Sequence, residues 1–430
     1  MSAPEQDARR LRAALDRMDL LVDWERRDRR DWDRDLEPVK DLLARLGDPH
    51  RRFRAVHVSG TKGKGSTCAW IAAGLQRAGH RTGVYASPHV EHPSERVRID
   101  GRGVADAVLA EGLESALDAR EAGLAAGTPA GAATWFDLFT AAAFWIFAAE
   151  GVEWAAVEVG LGGRLDSTNA LDGELCVLTN VDLEHTAVLG DRLDGIAVEK
   201  GSIVPESGVL LTGVRRGAPE DDPLGALERL CAERGARLVV VPLTGPLRER
   251  NRELAAVALD LLGEMGVHAR DGAPLTRALL DEEAARLARI PGRWEDFRVG
   301  GTPVHLDAAH VAGSLQGLLG ELEPRLPGRP SVVLALGKDK QHAAVLKTLL
   351  GRVDRVWCTT SRSGPLLSAE ELAERARAVG LEAVAEPDPG RALAAALEAS
   401  GGGGWVLVTG SFYLAGELRP SLTAAAQTSR

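Results

Sequence analysis

From Phe53 onward the chain alternates short apolar runs with longer stretches of helical spacing. "FRAVHV" and "TGVYAS" read as strands on either side of a helix that begins near Lys64, and "WAAVEVG", "ELCVLTNV" and "GVLLTG" are further β-branched runs ending on glycine or polar residues. A strand that is apolar on both faces has to be covered on both faces. Runs of this kind alternating with helices therefore predict a mostly parallel sheet between helical layers. Residues 1–50 show an amphipathic helical pattern instead, with an arginine and aspartate run at 25–35 that reads as a solvated helix face.

After "RIPGRWE" (289–295) the rhythm restarts, with "TPVHLD", "SVVLALG", "RVWCTT" and "WVLVTG" each followed by a helical stretch. Proline and glycine at 291–293 interrupt both helix and strand, which places a boundary there. The expected architecture is α/β in two domains of unequal size, residues 1–292 with a mostly parallel sheet and residues 293–430 as the smaller α/β domain. No fixed-period repeat is visible, and "SGGGGW" at 400–405 reads as a short loop.

Composition narrows the class of protein. The 430 residues carry 62 acidic and 52 basic side chains, a formal charge of −10, which argues against a general nucleic-acid or anionic-membrane surface. Four scattered cysteines (Cys68, Cys176, Cys231, Cys358) have no metal-like spacing and read as buried or free thiols. The polar start "MSAPEQDARR" lacks a signal-peptide pattern, and "LFTAAAFWIFAA" is short for a spanning helix, so a cytoplasmic protein is expected.

The chemistry concentrates in "SGTKGKGST" (59–67), a glycine-rich turn between a strand and a helix. Glycines let backbone N–H groups approach phosphate oxygens, and a helix N-terminus adds partial positive charge. Gly60, Thr61, Lys62, Gly63, Lys64, Gly65, Ser66 and Thr67 are the candidate nucleotide-binding residues. Lys64 would reach the β/γ-phosphates, and Ser66 or Thr67 would offer a hydroxyl to a metal. The spelling differs from the common GxxxxGK[ST], because Gly65 separates the lysine from Ser66. Magnesium calls for oxygen or imidazole donors at neighbouring strand ends, and Ser87, Glu158 and His185 each follow or finish a predicted strand.

Eight segments occur here in the order found in folylpolyglutamate synthase/dihydrofolate synthase, of the Mur ligase superfamily. They are "SGTKGKGST", "SPHVEHPSERVRIDG", "TWFDLFTAAAF", "EVGLGGRLDSTN", "TNVDLEHTAVLGDRLDGIAVEKGSIV", "PGRWE", "LDAAH" and "TGSFYLAGELR". The chain resembles that family from about residue 40 to about 420, and a phosphate loop this early in the chain resembles the folate branch. The resemblance implies an N-terminal phosphate-loop (P-loop) ATPase domain over 1–292 and a smaller C-terminal Rossmann-like α/β domain over 293–430, with ATP and magnesium as cofactors and Ser66, Ser87, Glu158 and His185 around the metal. It makes Lys200 a lysine that is carbamylated in relatives, and puts Asn251 near adenine, Arg293 on the nucleotide from the linker, and Asp307 and His310 on ribose and phosphate. Lys64, Lys200 and His310 would be the catalytic set. Pro88, His89, Arg96 and Phe136 would lie around the pterin, and Ser411 and Tyr413 around glutamate.

The activity implied is ATP-dependent addition of L-glutamate to a folate or to dihydropteroate, with hinge motion at 291–293, by a monomer that needs neither nucleic acid nor membrane. Val311, the pair Leu247–Arg248, and Gln341 depart from the family pattern. Two alternatives stay open at this point: a ligase of the same superfamily with another acid substrate, and a nucleotide-binding protein that has lost ligation.

Overall fold

The computed structural model describes residues 2–21, 35–184, 186–326 and 328–428. The charge run at 25–35 and the candidate ligand His185 therefore lie outside the described residues, apart from Asp35. The chain divides into two compact units, residues 1–88 with 93–289, and residues 89–92 with 290–430.

The first unit is built on β1 (Arg54–Ser59), β2 (Thr82–Tyr85), β3 (Val97–Ile99), β4 (Arg102–Gly103), β5 (Trp154–Glu158), β6 (Leu175–Leu178), β7 (Val209–Thr212) and β8 (Arg237–Val240), in the order β4-β3-β2-β5-β1-β6-β7-β8. The six strands from β2 to β8 run parallel, and β3 and β4 extend the β2 edge antiparallel. Every residue of β5 and β6 is buried, and both strands are apolar throughout apart from Glu158 at the end of β5. One layer packs Phe136, Phe139, Phe144 and Phe147 of the helix Trp135–Ala149 against the sheet. The other packs the helices Lys64–Arg77 and Leu247–Glu264. These two helices approach closely at Gly74, where a Cβ would lie 2.3 Å from Leu259 Cδ1.

Register decides what surrounds the phosphate loop. Val58 pairs with Glu158 on one side and Val177 on the other, and Ser59 pairs with Leu178. The carboxyl ends of β1, β5 and β6 are therefore level, and the segments leaving them meet at one edge of the sheet.

The second unit contains β9 (Glu295–Val299), β10 (Thr302–Asp307), β11 (Ser331–Leu334), β12 (Arg355–Cys358), β13 (Ala383–Ala385) and β14 (Val406–Thr409), in the order β13-β12-β11-β14-β10-β9. Only β9 is antiparallel. The residues 89–92 are held here by two close approaches and an ion-pair cluster. A Cβ on Gly416 would lie 2.1 Å from Val90 O, and one on Gly292 would lie 3.1 Å from Val90 Cγ2. Arg419 pairs with Glu91 and, at 2.8 Å, with Glu295. The strands of the sequence analysis are present and mostly shorter than their apolar runs; "TPVHLD" fills β10 completely, and β1 is as long as "FRAVHV" but shifted by one residue. The helical pattern of residues 1–50 resolves into Ala3–Met18 and Glu37–Arg45 among the described residues.

All four cysteines are buried and unpaired. Among the described residues no helix is long and apolar enough to cross a membrane.

Candidate functional site

Residues 60–63 link β1 to the helix Lys64–Arg77 through two glycines with positive φ, Gly60 at 142° and Gly63 at 84°. Both are tightly hemmed. A Cβ on Gly60 would lie 2.0 Å from Thr179 Oγ1, and one on Gly63 would lie 2.2 Å from Asn251 Oδ1. Only glycine satisfies both the backbone angle and the contact. The first intrahelical acceptor is Gly63 O, which takes the Thr67 N–H at 2.9 Å. The N–H groups of Gly63, Lys64, Gly65 and Ser66 have no acceptor among the described residues. Four consecutive unspent donors at a helix N-terminus form an anion-binding surface.

Lys64 Nζ donates to Gly60 O at 3.1 Å, which folds the side chain back over the loop. Lys200 Nζ donates to the same carbonyl at 3.3 Å. Lys200 is 3% exposed, and burial, followed by the neighbouring charge of Lys64, lowers its pKa to about 7. The segment "GLGGR" packs on it, since a Cβ on Gly163 would lie 2.8 Å from Lys200 O, and Arg164 N donates to Glu199 O at 3.0 Å.

Glu158 is 7% exposed at the end of β5, and its Oε2 accepts the Ser87 N–H at 3.2 Å. The same oxygen would be 3.0 Å from a Cβ on Gly65, so the carboxylate lies directly against the phosphate loop. Among the described residues no three His, Cys, Asp or Glu side chains cluster as a ready metal site. The nearby donors are instead hard oxygens, one carboxylate from Glu158 with hydroxyls on Ser66 and Ser87, a set that suits magnesium rather than zinc.

Several candidates are engaged by neighbouring groups of the protein. Thr67 is fully buried, because its helical position turns it toward the sheet, so the hydroxyl on offer to a metal is that of Ser66. Thr61 and Lys62 are engaged by the segment after β6: Thr61 Oγ1 accepts from Asp182 N at 3.1 Å, and Lys62 Nζ pairs with Asp182 at 2.9 Å. Asn251 is buried against Gly63 and shapes the phosphate loop itself. Arg96 and Phe136 are both buried. Arg96 is 3% exposed with its guanidinium 4.9 Å above Trp135, and Phe136 is 4% exposed with its ring against Gly160 and Tyr85. Pro88 is exposed and follows Ser87, while His89 groups with the second unit.

In the second unit the residues singled out gather at the carboxyl ends of β10 and β14. Asp307 accepts from Trp294 N at 3.0 Å and Ala309 N at 2.9 Å, and stands 3.8 Å from Arg293. The Arg293 guanidinium lies 4.4 Å from the Phe412 ring centre, and the His310 ring lies 5.8 Å from it. His310 Nδ1–H donates to Ala308 O at 2.9 Å, leaving Nε2 as the acceptor; burial, with Lys340 nearby, lowers its pKa to about 4. Ser411 Oγ accepts from Tyr413 N at 3.1 Å and so caps the helix Phe412–Thr428, and Tyr413 packs on Gly364 with 40% exposure.

The fold and this loop define a nucleotide-using ligase of the Mur type, and residues 292–412 match the family described as Mur ligase, glutamate ligase domain. Dihydrofolate synthase/folylpolyglutamate synthase of Escherichia coli K12 is 31% identical over 363 residues, covering 79% of this chain and 80% of that protein. The chain belongs to the dihydrofolate synthase/folylpolyglutamate synthase family. A probable bifunctional folylpolyglutamate synthase/dihydropteroate synthase of Haloferax volcanii is 32% identical over 90% of this chain, which spans only 48% of that relative's length. Among solved structures, the bifunctional folylpolyglutamate synthase/dihydrofolate synthase of Yersinia pestis complexed with AMPPNP and Mn ion aligns with a TM-score of 0.77 and 26% identity. It covers 96% of this chain and 98% of that one.

Proposed function

We propose that the protein joins the amine of L-glutamate to a carboxyl group of a folate, or of dihydropteroate, at the expense of ATP. The observation that carries this reading is the phosphate loop with four unspent N–H groups lying against the Glu158 carboxylate. A carboxylate does not condense with an amine at neutral pH, because oxide is a poor leaving group. Transfer of the γ-phosphoryl breaks the β–γ bond of ATP and forms an acyl phosphate with ADP released. The amine nitrogen then attacks the acyl carbon, phosphate departs with the C–O bond, and a proton is lost from nitrogen.

The loop N–H groups and Lys64 bind and neutralise the phosphates, so positioning and charge account for most of the catalysis. Magnesium would be held by Glu158, Ser66 and Ser87, and would supply charge neutralisation for the phosphates. In the second unit, His310, whose pKa burial lowers to about 4, and Arg293, whose guanidinium lies 4.4 Å from the Phe412 ring centre, are the groups that the resemblance assigns to the nucleotide. Lys200 fits the carbamate that the resemblance implies: with a pKa of about 7 its amine is substantially unprotonated at neutral pH, the form that adds to CO₂ with loss of a proton.

A phosphate-release assay with dihydropteroate and with tetrahydrofolate, each with and without glutamate, tests the reading. Release that needs both acid and glutamate, and that is lost in Lys64→Ala, is expected. Nucleotide binding without acid-dependent release would refute it.

A further inference from the structure

The segment leaving β6 does more than lie beside the phosphate loop. Asn180 grips the backbone of Lys62 at both ends. Lys62 N–H donates to Asn180 Oδ1 at 3.0 Å, and Asn180 Nδ2 donates to Lys62 O at 2.7 Å. Thr179 Oγ1 donates to that same carbonyl at 2.7 Å. Both acceptor sites of the Lys62 oxygen are thus filled by two adjacent side chains. The strand-like contact continues on either side, with Thr179 N donating to Ser59 O and Thr61 N to Asn180 O, each at 3.0 Å.

These bonds also set the direction of the next donor. In a planar trans peptide the C=O of one residue and the N–H of the following one point in opposite directions. Fixing the Lys62 carbonyl on Thr179 and Asn180 therefore turns the Gly63 N–H away from the β6 segment. That N–H is the first of the four unspent donors, and the positive φ of Gly63 leads directly into the helix that carries the other three. We propose that Asn180 and Thr179 are positioning residues that prevent this peptide from flipping and hold the Gly63 N–H toward the bound phosphate. The proposal rests on the ligase reading above only for the identity of the anion. A flipped peptide would present a carbonyl oxygen to the phosphate, so the pair acts on nucleotide affinity and leaves the acid and glutamate untouched.

The test measures binding of ATP with magnesium by calorimetry, KM for ATP and for glutamate, and melting temperature without nucleotide, for Asn180→Ala, Thr179→Val and Thr179→Ser. Asn180→Ala removes both part-buried hydrogen bonds to Lys62, so ATP binding is expected to weaken roughly tenfold or more with KM for glutamate unchanged. Thr179→Val is expected to weaken it by roughly a factor of three to ten, and Thr179→Ser to restore it by returning the hydroxyl. Wild-type ATP affinity in both Asn180→Ala and Thr179→Val, with only the melting temperature lowered, would reduce the pair to a structural role and overturn the proposal. If Asn180→Ala does not fold, the contrast between valine and serine at 179 decides. A wild-type chain that binds no ATP overturns the ligase reading and this one together, whereas wild-type binding with unaffected variants overturns this one alone.

Discussion

Replacing Lys200 by methionine removes a buried amine while keeping an unbranched chain of similar length, and the outcome depends on pH in a way the structure specifies. Lys200 is 3% exposed, and its pKa falls from 10.5 to about 7 because burial, then the charge of Lys64, disfavours the ammonium. The unfolded chain holds the proton up to about pH 10.5 and the folded one releases it near 7, so the unfolded state binds more protons between these values. Stability then rises with pH across that window, and the penalty for burying the lysine is complete below pH 7. Each tenfold loss of proton affinity on folding is worth about 1.4 kcal/mol, so the penalty is at most about 5 kcal/mol at pH 6 and about 2 kcal/mol at pH 9. Loss of the bond to Gly60 O subtracts about 1 kcal/mol from the gain at either pH.

Lys200→Met should therefore be more stable than wild type at pH 6, by a margin that narrows by about 2–3 kcal/mol at pH 9, while being inactive at both. Urea unfolding of both proteins in CO₂-free buffers, which keep the amine unmodified, measures the margin. A gap between variant and wild type that does not change between pH 6 and pH 9 would show that the amine is not held deprotonated, and the argument would fail.

The phosphate loop and the second unit supply two more expected outcomes. Gly63→Ala places a Cβ 2.2 Å from Asn251 Oδ1 at a φ of 84°; left-handed strain alone is about 1–2 kcal/mol, so kcat/KM for ATP should fall by more than about tenfold. A Gly63→Ala, Asn251→Gly double variant should recover only the part owed to the contact, and complete recovery would rule out the backbone contribution. His310, with its pKa lowered to about 4, is neutral across pH 5.5–8, so His310→Gln should lower kcat/KM without changing the shape of its pH profile. An inflection near pH 6.5 that disappears in the variant would contradict this.

The parts of the fold that show in the sequence are those whose environment is uniform along the run. β5, β6 and β14 are buried at every residue, and their sequences are apolar except for the last residue of β5, Glu158, and of β14, Thr409. β9, with the sequence EDFRV, is half exposed on a sheet edge, and β4 is two residues long, so neither carries a pattern that stands out from its surroundings. The glycine-rich loop is legible because its chemistry is contained in nine consecutive residues. The grip of Asn180 on Lys62 is not, since it joins positions 118 apart in the chain, and "TNV" offers no local sign of which backbone it will meet. The same holds for Asn251 against Gly63. In Arg96 and Phe136 the residue type suggests recognition, and only packing shows that both side chains are enclosed.

The discontinuity of the second unit limits how it can be inherited or excised. A fragment starting at Ile290 would lack Val90, and the notch cut by Gly292 and Gly416 has no side chain of its own to fill it, while Arg419 would keep one carboxylate neighbour of two. Recombination that exchanged C-terminal halves between homologous genes at residue 290 would pair each notch with a foreign "HVEH" plug. A viable chimera has to transplant that tetrapeptide along with the half it fits.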